Sequence, residues 1–276
     1  MIRVANAPVS YGAFELTVGV LPNVPGPEAV LDAIAAAGYE GTELGPPGYL
    51  GEDGVLRERL EDRGLDLAGA FVPLRFGEQE EDPAELDAVL TLLEAAGGRA
   101  RPVLADAGPR RPVDRHQLAA GVQRAADHVR ERGFEPTFHH HMGSAVQSPA
   151  EIEQLLELTD IGLLLDTGHL TAAGGDPLEG LRDWRNRIDH VHVKDVRLDL
   201  LAGARNWDEA WRSGVFCELG AGDADPERFI ADLKAGGYSG WLVVEQDWVP
   251  RPGEDVRAQI QAQARNRRWL SERADL

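Results

Sequence analysis

Short β-rich runs alternate with longer amphipathic stretches along the whole chain, at roughly thirty residues per cycle, and few folds accept that rhythm. Strands are expected at 3–9, 41–44, 66–72, 101–105, 135–141, 161–166, 190–196 and 241–245. Between them lie helical signals. Pro27 opens a stripe of Val30, Ile34 and Ala37 that Gly38 stops. Further helices are expected near 54–63, 83–96 and 113–132, each ended by glycine. Ser148-Pro149-Ala150-Glu151, Asp176-Pro177 and Asp225-Pro226 read as helix starts, and a charged helix ends the chain. The stretch 198–225 is longer than an ordinary connection and is a candidate active-site loop. Eight strands alternating with eight helices predict one (β/α)8 TIM barrel spanning 1–276. No G-x-G-x-x-G follows the first strand, which counts against an open dinucleotide-binding sheet.

Charge narrows the partners. With 47 acidic against 28 basic residues the net charge is -19, a field that repels nucleic acid and anionic membranes and favours a small neutral substrate. The single cysteine, Cys217, excludes an intrachain disulfide. The opening residues MIRVANAPVSYG show no basic stretch before an apolar run, so no signal peptide is expected and the cytoplasm is the expected compartment. No apolar run approaches the length of a membrane span.

Catalytic groups of such barrels lie at the C-terminal ends of the strands. Those positions hold Glu43, His139 and His141, Asp166, His192 and Glu245. Asp166 follows three leucines, where an ionised carboxylate is costly unless a cation or several donors compensate; it also suits a cap for a helix or turn through Thr167 and Gly168. In His190-Val191-His192-Val193-Lys194-Asp195 the strand period puts His190, His192 and Lys194 on one face. Lys194 points to substrate or pairs with Glu218 or Asp195. His139 and His141 likewise share a face. Carboxylate and imidazole from separate strands make a mixed nitrogen and oxygen shell suited to Mn²⁺, Co²⁺, Mg²⁺ or Zn²⁺. Such a cation chelates a hydroxy-ketone and stabilises an enediolate.

These motifs resemble the xylose-isomerase-like barrel superfamily of sugar isomerases and epimerases, and within it the inosose (2-keto-myo-inositol) dehydratases. The resemblance rests on NAPVSYG at 6–12, GYEGTELGPPGYLG at 38–51, FHHHMGSAVQS at 138–148, LLLDTGHLTAAGGDP at 163–177, HVHVKDVR at 190–197 and GYSGWLVVEQD at 237–247. It implies a metal held by Asp166, His192, Glu245 and one strand-5 residue. Sugar epimerases place a glutamate there; this chain places histidines, with His139 as ligand and His141 as proton carrier, although spacing alone leaves the two interchangeable. A histidine and carboxylate set favours elimination of water over a proton swap between two faces. Two departures from the dehydratases are Tyr11, where they usually carry tryptophan, and a shorter segment at 198–222.

The expected activity is therefore a metal-dependent lyase dehydrating inosose or a related keto-polyol. His141, Lys194, His169 and Glu245 are the expected catalytic groups, and Glu43, Gln147, Arg197 and Glu218 the expected substrate contacts. A keto-sugar isomerase or epimerase is the alternative, and a non-catalytic sugar-binding barrel subunit a second. Barrels of this type often form homo-oligomers.

Overall fold

Val4, Ala5, Leu163, Leu164, Leu165, Val191, Val193, Leu242, Val243 and Val244 are all buried although consecutive strand residues point to opposite faces. Strands buried on both faces need side chains inside and helices outside, which is the condition of a parallel barrel. The computed structural model, which describes residues 1–77, 83–251 and 253–276, has that architecture.

The strands are β1 (Ile2–Asn6), β2 (Gly41–Glu43), β3 (Asp66–Leu74), β4 (Arg101–Asp106), β5 (Thr137–His139), β6 (Gly162–Asp166) and β7 (Ile188–Val193). A short antiparallel ribbon, β8 (Asp195–Val196) with β9 (Phe216–Cys217), precedes β10 (Gly240–Val244). Pairing runs β1-β10-β7-β6-β5-β4-β3-β2 and returns to β1, so the barrel is closed. Outside it run α1 (Pro27–Ala37), α2 (Asp53–Glu61), α3 (Pro83–Ala95), α4 (Arg115–Glu131) and α5 (Pro149–Leu158). Next come α6 (Thr167–Ala172), α7 (Pro177–Asp183), α8 (Leu198–Gly203), α9 (Trp207–Arg212), α10 (Pro226–Ala235) and α11 (Val256–Arg273).

Several boundaries differ from expectation for local reasons. The first strand stops at Asn6, and Pro8 opens a 3-10 turn through Tyr11. The third strand continues through Pro73 to Leu74, hydrogen-bonded in register to β4. The fifth ends at His139, because the His141 N–H turns back to the Val146 carbonyl at 3.0 Å. The eighth barrel strand ends at Val244, one residue before Glu245. Helix α6, which begins where Asp166 was weighed as the cap of a helix or turn, is six residues long and all six are buried. The segment 198–225 is not irregular throughout. It folds into α8, α9 and β9 around a small apolar cluster of Ala172, Val196, Ala210, Val215, Phe216 and Ala224.

Among the described residues, no helix is long and apolar enough to cross a membrane.

Candidate active site

Register brings four side chains together at the C-terminal mouth of the barrel. His139 ends β5 and Asp166 ends β6. His192 is the Cα partner of Asp166 across to β7, and Glu245 directly follows β10. One ligand-capable atom from each of these four buried residues lies within 4.8 Å of the others. His139 Nε2 is 3.8 Å from Asp166 Oδ2, while His192 Nδ1 is 3.7 Å from that oxygen and 3.2 Å from Glu245 Oε2.

Hydrogen bonds outside the cluster fix which atoms face inward. The His139 Nδ1–H donates to the His140 carbonyl, and the His192 Nε2–H donates to Glu43 Oε1 at 3.0 Å. A carbonyl or a carboxylate can only accept, so these nitrogens carry the protons and His139 Nε2 and His192 Nδ1 face the cluster. Asp166 is divided between two tasks. Its Oδ1 accepts the His169 N–H at 2.8 Å and caps α6, as the turn at Thr167-Gly168 suggested. Its Oδ2 is buried with no hydrogen-bond partner, and so is His192 Nδ1. Two orphaned buried atoms aimed into one space that also holds Glu245 fit a divalent cation. Imidazole nitrogen and carboxylate oxygen together make the mixed shell that such cations take. Burial opposes charge on His192, but Glu245 and Glu43 outweigh it and hold the ring protonated well above its usual range.

Glu43 is buried, and its Oε1 also accepts from His190 Nε2 at 3.1 Å. Burial alone would raise its carboxyl; His192 and His190 outweigh that and hold it at about 2. Gly69 makes room, since a Cβ there would sit 3.0 Å from Glu43 Oε1. Glu43 therefore orients His192, although it also borders the cleft.

Lys194 brings a buried positive charge to the site. Its buried ammonium lies 2.7 Å from Glu245 Oε2, 2.8 Å from Asp247 Oδ1 and 3.3 Å from Asp166 Oδ2. Burial opposes its charge, but Asp166, Asp247 and Glu245 outweigh it and keep the amine protonated. The expected pairing of Lys194 with Glu218 or Asp195 is not found. Glu218 is bonded to Arg265 at 2.7 Å, and Asp195 accepts four backbone N–H groups, from Val196, Gly220, Gly222 and Ala224. Gly168 is required beside Lys194, because a Cβ at that position would lie 2.7 Å from the lysine Cγ.

His141, His169 and Asp247 form a neighbouring set whose ligand-capable atoms also lie within 4.8 Å of one another. His141 borders the cleft, with Nδ1 held 2.9 Å from the Met142 carbonyl. Burial and then Lys194 push its imidazole down to about 4. His169 is fully buried, its ring centroid 4.0 Å from that of His141 and its Nε2 3.2 Å from Lys194 Nζ. It stands behind these two groups. The sequence reading missed Asp247, which extends the alternation Val243, Glu245, Asp247 by one step beyond the strand.

The chain matches the xylose isomerase-like TIM barrel family model over residues 31–272. It is 36% identical over 247 residues to the rhizopine catabolism protein MocC of Rhizobium meliloti, covering 81% of this chain and 75% of that protein. It is 33% identical over 255 residues to an inosose dehydratase of Lacticaseibacillus casei, covering 81% and 83%. This chain belongs to the xylose isomerase-like TIM barrel family. Solved structures share the fold at low identity. The D-allulose 3-epimerase from Methylomonas sp. in complex with D-allulose has a TM-score of 0.71 at 17% identity, covering 99% of this chain and 97% of that one. The IOLI protein with a binding zinc atom has a TM-score of 0.69 at 14% identity, covering 98% and 99%.

In this xylose isomerase-like barrel the cluster opens onto a cleft of about 740 Å³, bordered by His139, His141, His192, Lys194, Glu245 and Asp247 on its polar side. Three expected substrate contacts lie outside its lining. Gln147 accepts the Gly143 N–H at 2.8 Å and braces the turn after His141. Arg197 is exposed and paired with Asp199 at 2.9 Å, and Glu218 is held by Arg265. Gln147 and Arg197 stand at the ends of family motifs and Glu218 follows β9, and at all three the chain has already turned away from the barrel mouth. The long segment does reach the cleft, through Trp207, Asp208 and Trp211 on α9.

Proposed function

We propose that this chain is a metal-dependent lyase that dehydrates inosose or a closely related cyclic keto-polyol. The observation that carries the reading is the buried His139, Asp166, His192 and Glu245 cluster, with histidine on β5, opening onto a cleft that also presents His141 and Lys194. Similarity to inosose dehydratases supports the substrate class.

His139 Nε2, Asp166 Oδ2, His192 Nδ1 and a Glu245 oxygen would hold the cation; their nitrogen and oxygen character suits Mn²⁺, Co²⁺, Mg²⁺ or Zn²⁺. When bound, the metal supplies a Lewis acid for the ketone and an adjacent hydroxyl. His141 enters as a neutral imidazole and takes the proton from the carbon next to the ketone. The electron pair released moves towards the carbonyl oxygen, and the Lys194 ammonium steadies the resulting enediolate. As the carbon–oxygen bond one carbon further on breaks, Lys194 gives its proton to the departing hydroxyl, which leaves as water. Asp247 and His169 keep Lys194 in place throughout. The enol product tautomerises to a dione.

Incubating the metal-loaded enzyme with inosose tests this reading. A dione absorbing in the ultraviolet is the expected product. Exchange of the C–H proton with solvent and no dione would instead identify an isomerase or epimerase.

A further inference from the structure

The last helix, α11, packs on the barrel with a polar face. Its buried residues are Gln259, Ala262, Gln263, Asn266 and Leu270, so amides stand where a covering helix normally buries an apolar stripe. Buried amides are costly unless they are hydrogen-bonded, and two of these converge on one residue. Gln246 Oε1 accepts from Gln263 Nε2 at 3.1 Å and from Asn266 Nδ2 at 3.4 Å. The two donors are themselves anchored. Gln263 Oε1 accepts from Asn6 Nδ2 at 3.0 Å, at the end of β1, and Asn266 Oδ1 accepts the Leu219 N–H at 3.0 Å.

Gln246 stands where the sheet no longer holds the chain. Val244 is the last residue of β10 in register with β1 and β7, and the Glu245 N–H still reaches the Val193 carbonyl at 3.2 Å. One residue later the Gln246 N–H donates instead to buried Ser10 Oγ, on the 3-10 turn, at 3.0 Å. Backbone and side chain of Gln246 are thus both fastened away from the cleft, and alternation turns its neighbours Glu245 and Asp247 into it. Glu245 belongs to the cation cluster, and Asp247 holds Lys194 at 2.8 Å. We infer that Gln263 and Asn266, acting through Gln246, are positioning residues that aim Glu245 at the cation and Asp247 at Lys194, with Ser10 as a second brace. This rests on the metal reading of the cluster above. Outer partners of this kind set how well a ligand meets its metal.

Co²⁺ affinity, read by competition with a chromophoric chelator on full-length protein, is the test, with thermal melting of the metal-free protein measured alongside. Gln246→Leu removes the shared acceptor and is expected to bind Co²⁺ about tenfold more weakly. Gln246→Glu keeps an oxygen for Gln263 and Asn266 and should bind at least as tightly as the wild type. Ser10→Ala is a smaller lesion that should weaken binding severalfold, and it decides the matter if Gln246→Leu does not fold. Wild-type affinity in Gln246→Leu, or in Ser10→Ala where that variant decides, overturns the inference, even when melting shows a loss of stability. So does a Gln246→Glu protein as weak as Gln246→Leu. Co²⁺ binding by the wild type with unchanged variants sinks the brace alone, whereas a wild type that binds no Co²⁺ sinks the metal reading and the brace with it.

Discussion

Glu43 is where sequence and structure disagree most usefully at the scale of single residues. Its position at a strand end suggests a substrate contact, but one of its oxygens is shared by His190 and His192. A carboxylate that fixes an imidazole's tautomer also strengthens that imidazole as a ligand. Glu43→Gln is therefore expected to weaken metal affinity about 10–100-fold, read by competition with a chromophoric chelator. Unchanged metal affinity with a raised KM would return Glu43 to the substrate-binding role. The choice between His139 and His141 shows what the strand period leaves open. Both residues sit on one face in an extended chain, so alternation cannot separate them. A tertiary event does: the strand ends at His139, and the next residues turn so that His141 N–H reaches Val146. His141 is thereby displaced towards His169.

At the scale of elements, helix starts were legible because their chemistry is local. Asp176 and Asp225 each accept a backbone N–H, and Ser148 and Glu151 form the reciprocal box expected of them. Glu151 also illustrates a pH effect. Burial would raise its carboxyl, but Arg110 and the N–H groups of Ser148 and Gln147 outweigh burial and lower it from 4.5 to about 2. Its contribution is thus complete above about pH 4.5 and lost as pH falls through about 2. Urea unfolding across that window should show a smaller loss of stability for Glu151→Gln than for the wild type, and identical slopes would contradict the assignment. The loop after β9 could not be read in the same way, because its organiser is distant in sequence. Buried Asp195 collects N–H groups from residues 196, 220, 222 and 224. Asp195→Asn replaces an acceptor-only group by one that must donate, and is expected to cost about 3 kcal/mol in chemical denaturation.

At the scale of the whole molecule, the barrel was legible because its signal repeats: glycine stops and apolar strands recur around the closed ring. Placement at the barrel mouth was legible at the strand ends and, for His141 and Lys194, just beyond them. His139, Asp166, His192 and Glu245 converge because register alone places them. Gln147, Arg197 and Glu218 lie beyond strand ends, where turns decide direction, and the structure turns them away from the cleft. Asp247 was missed for the complementary reason, since the chain after β10 keeps facing the mouth. The account as a whole depends on one cation at the four converging residues. Elemental analysis of protein purified without chelators, beside Asp166→Ala prepared in the same way, tests this directly. The account predicts about one divalent metal per wild-type chain and a large loss in the variant. Stoichiometric metal in both proteins, or none in the wild type, would contradict it.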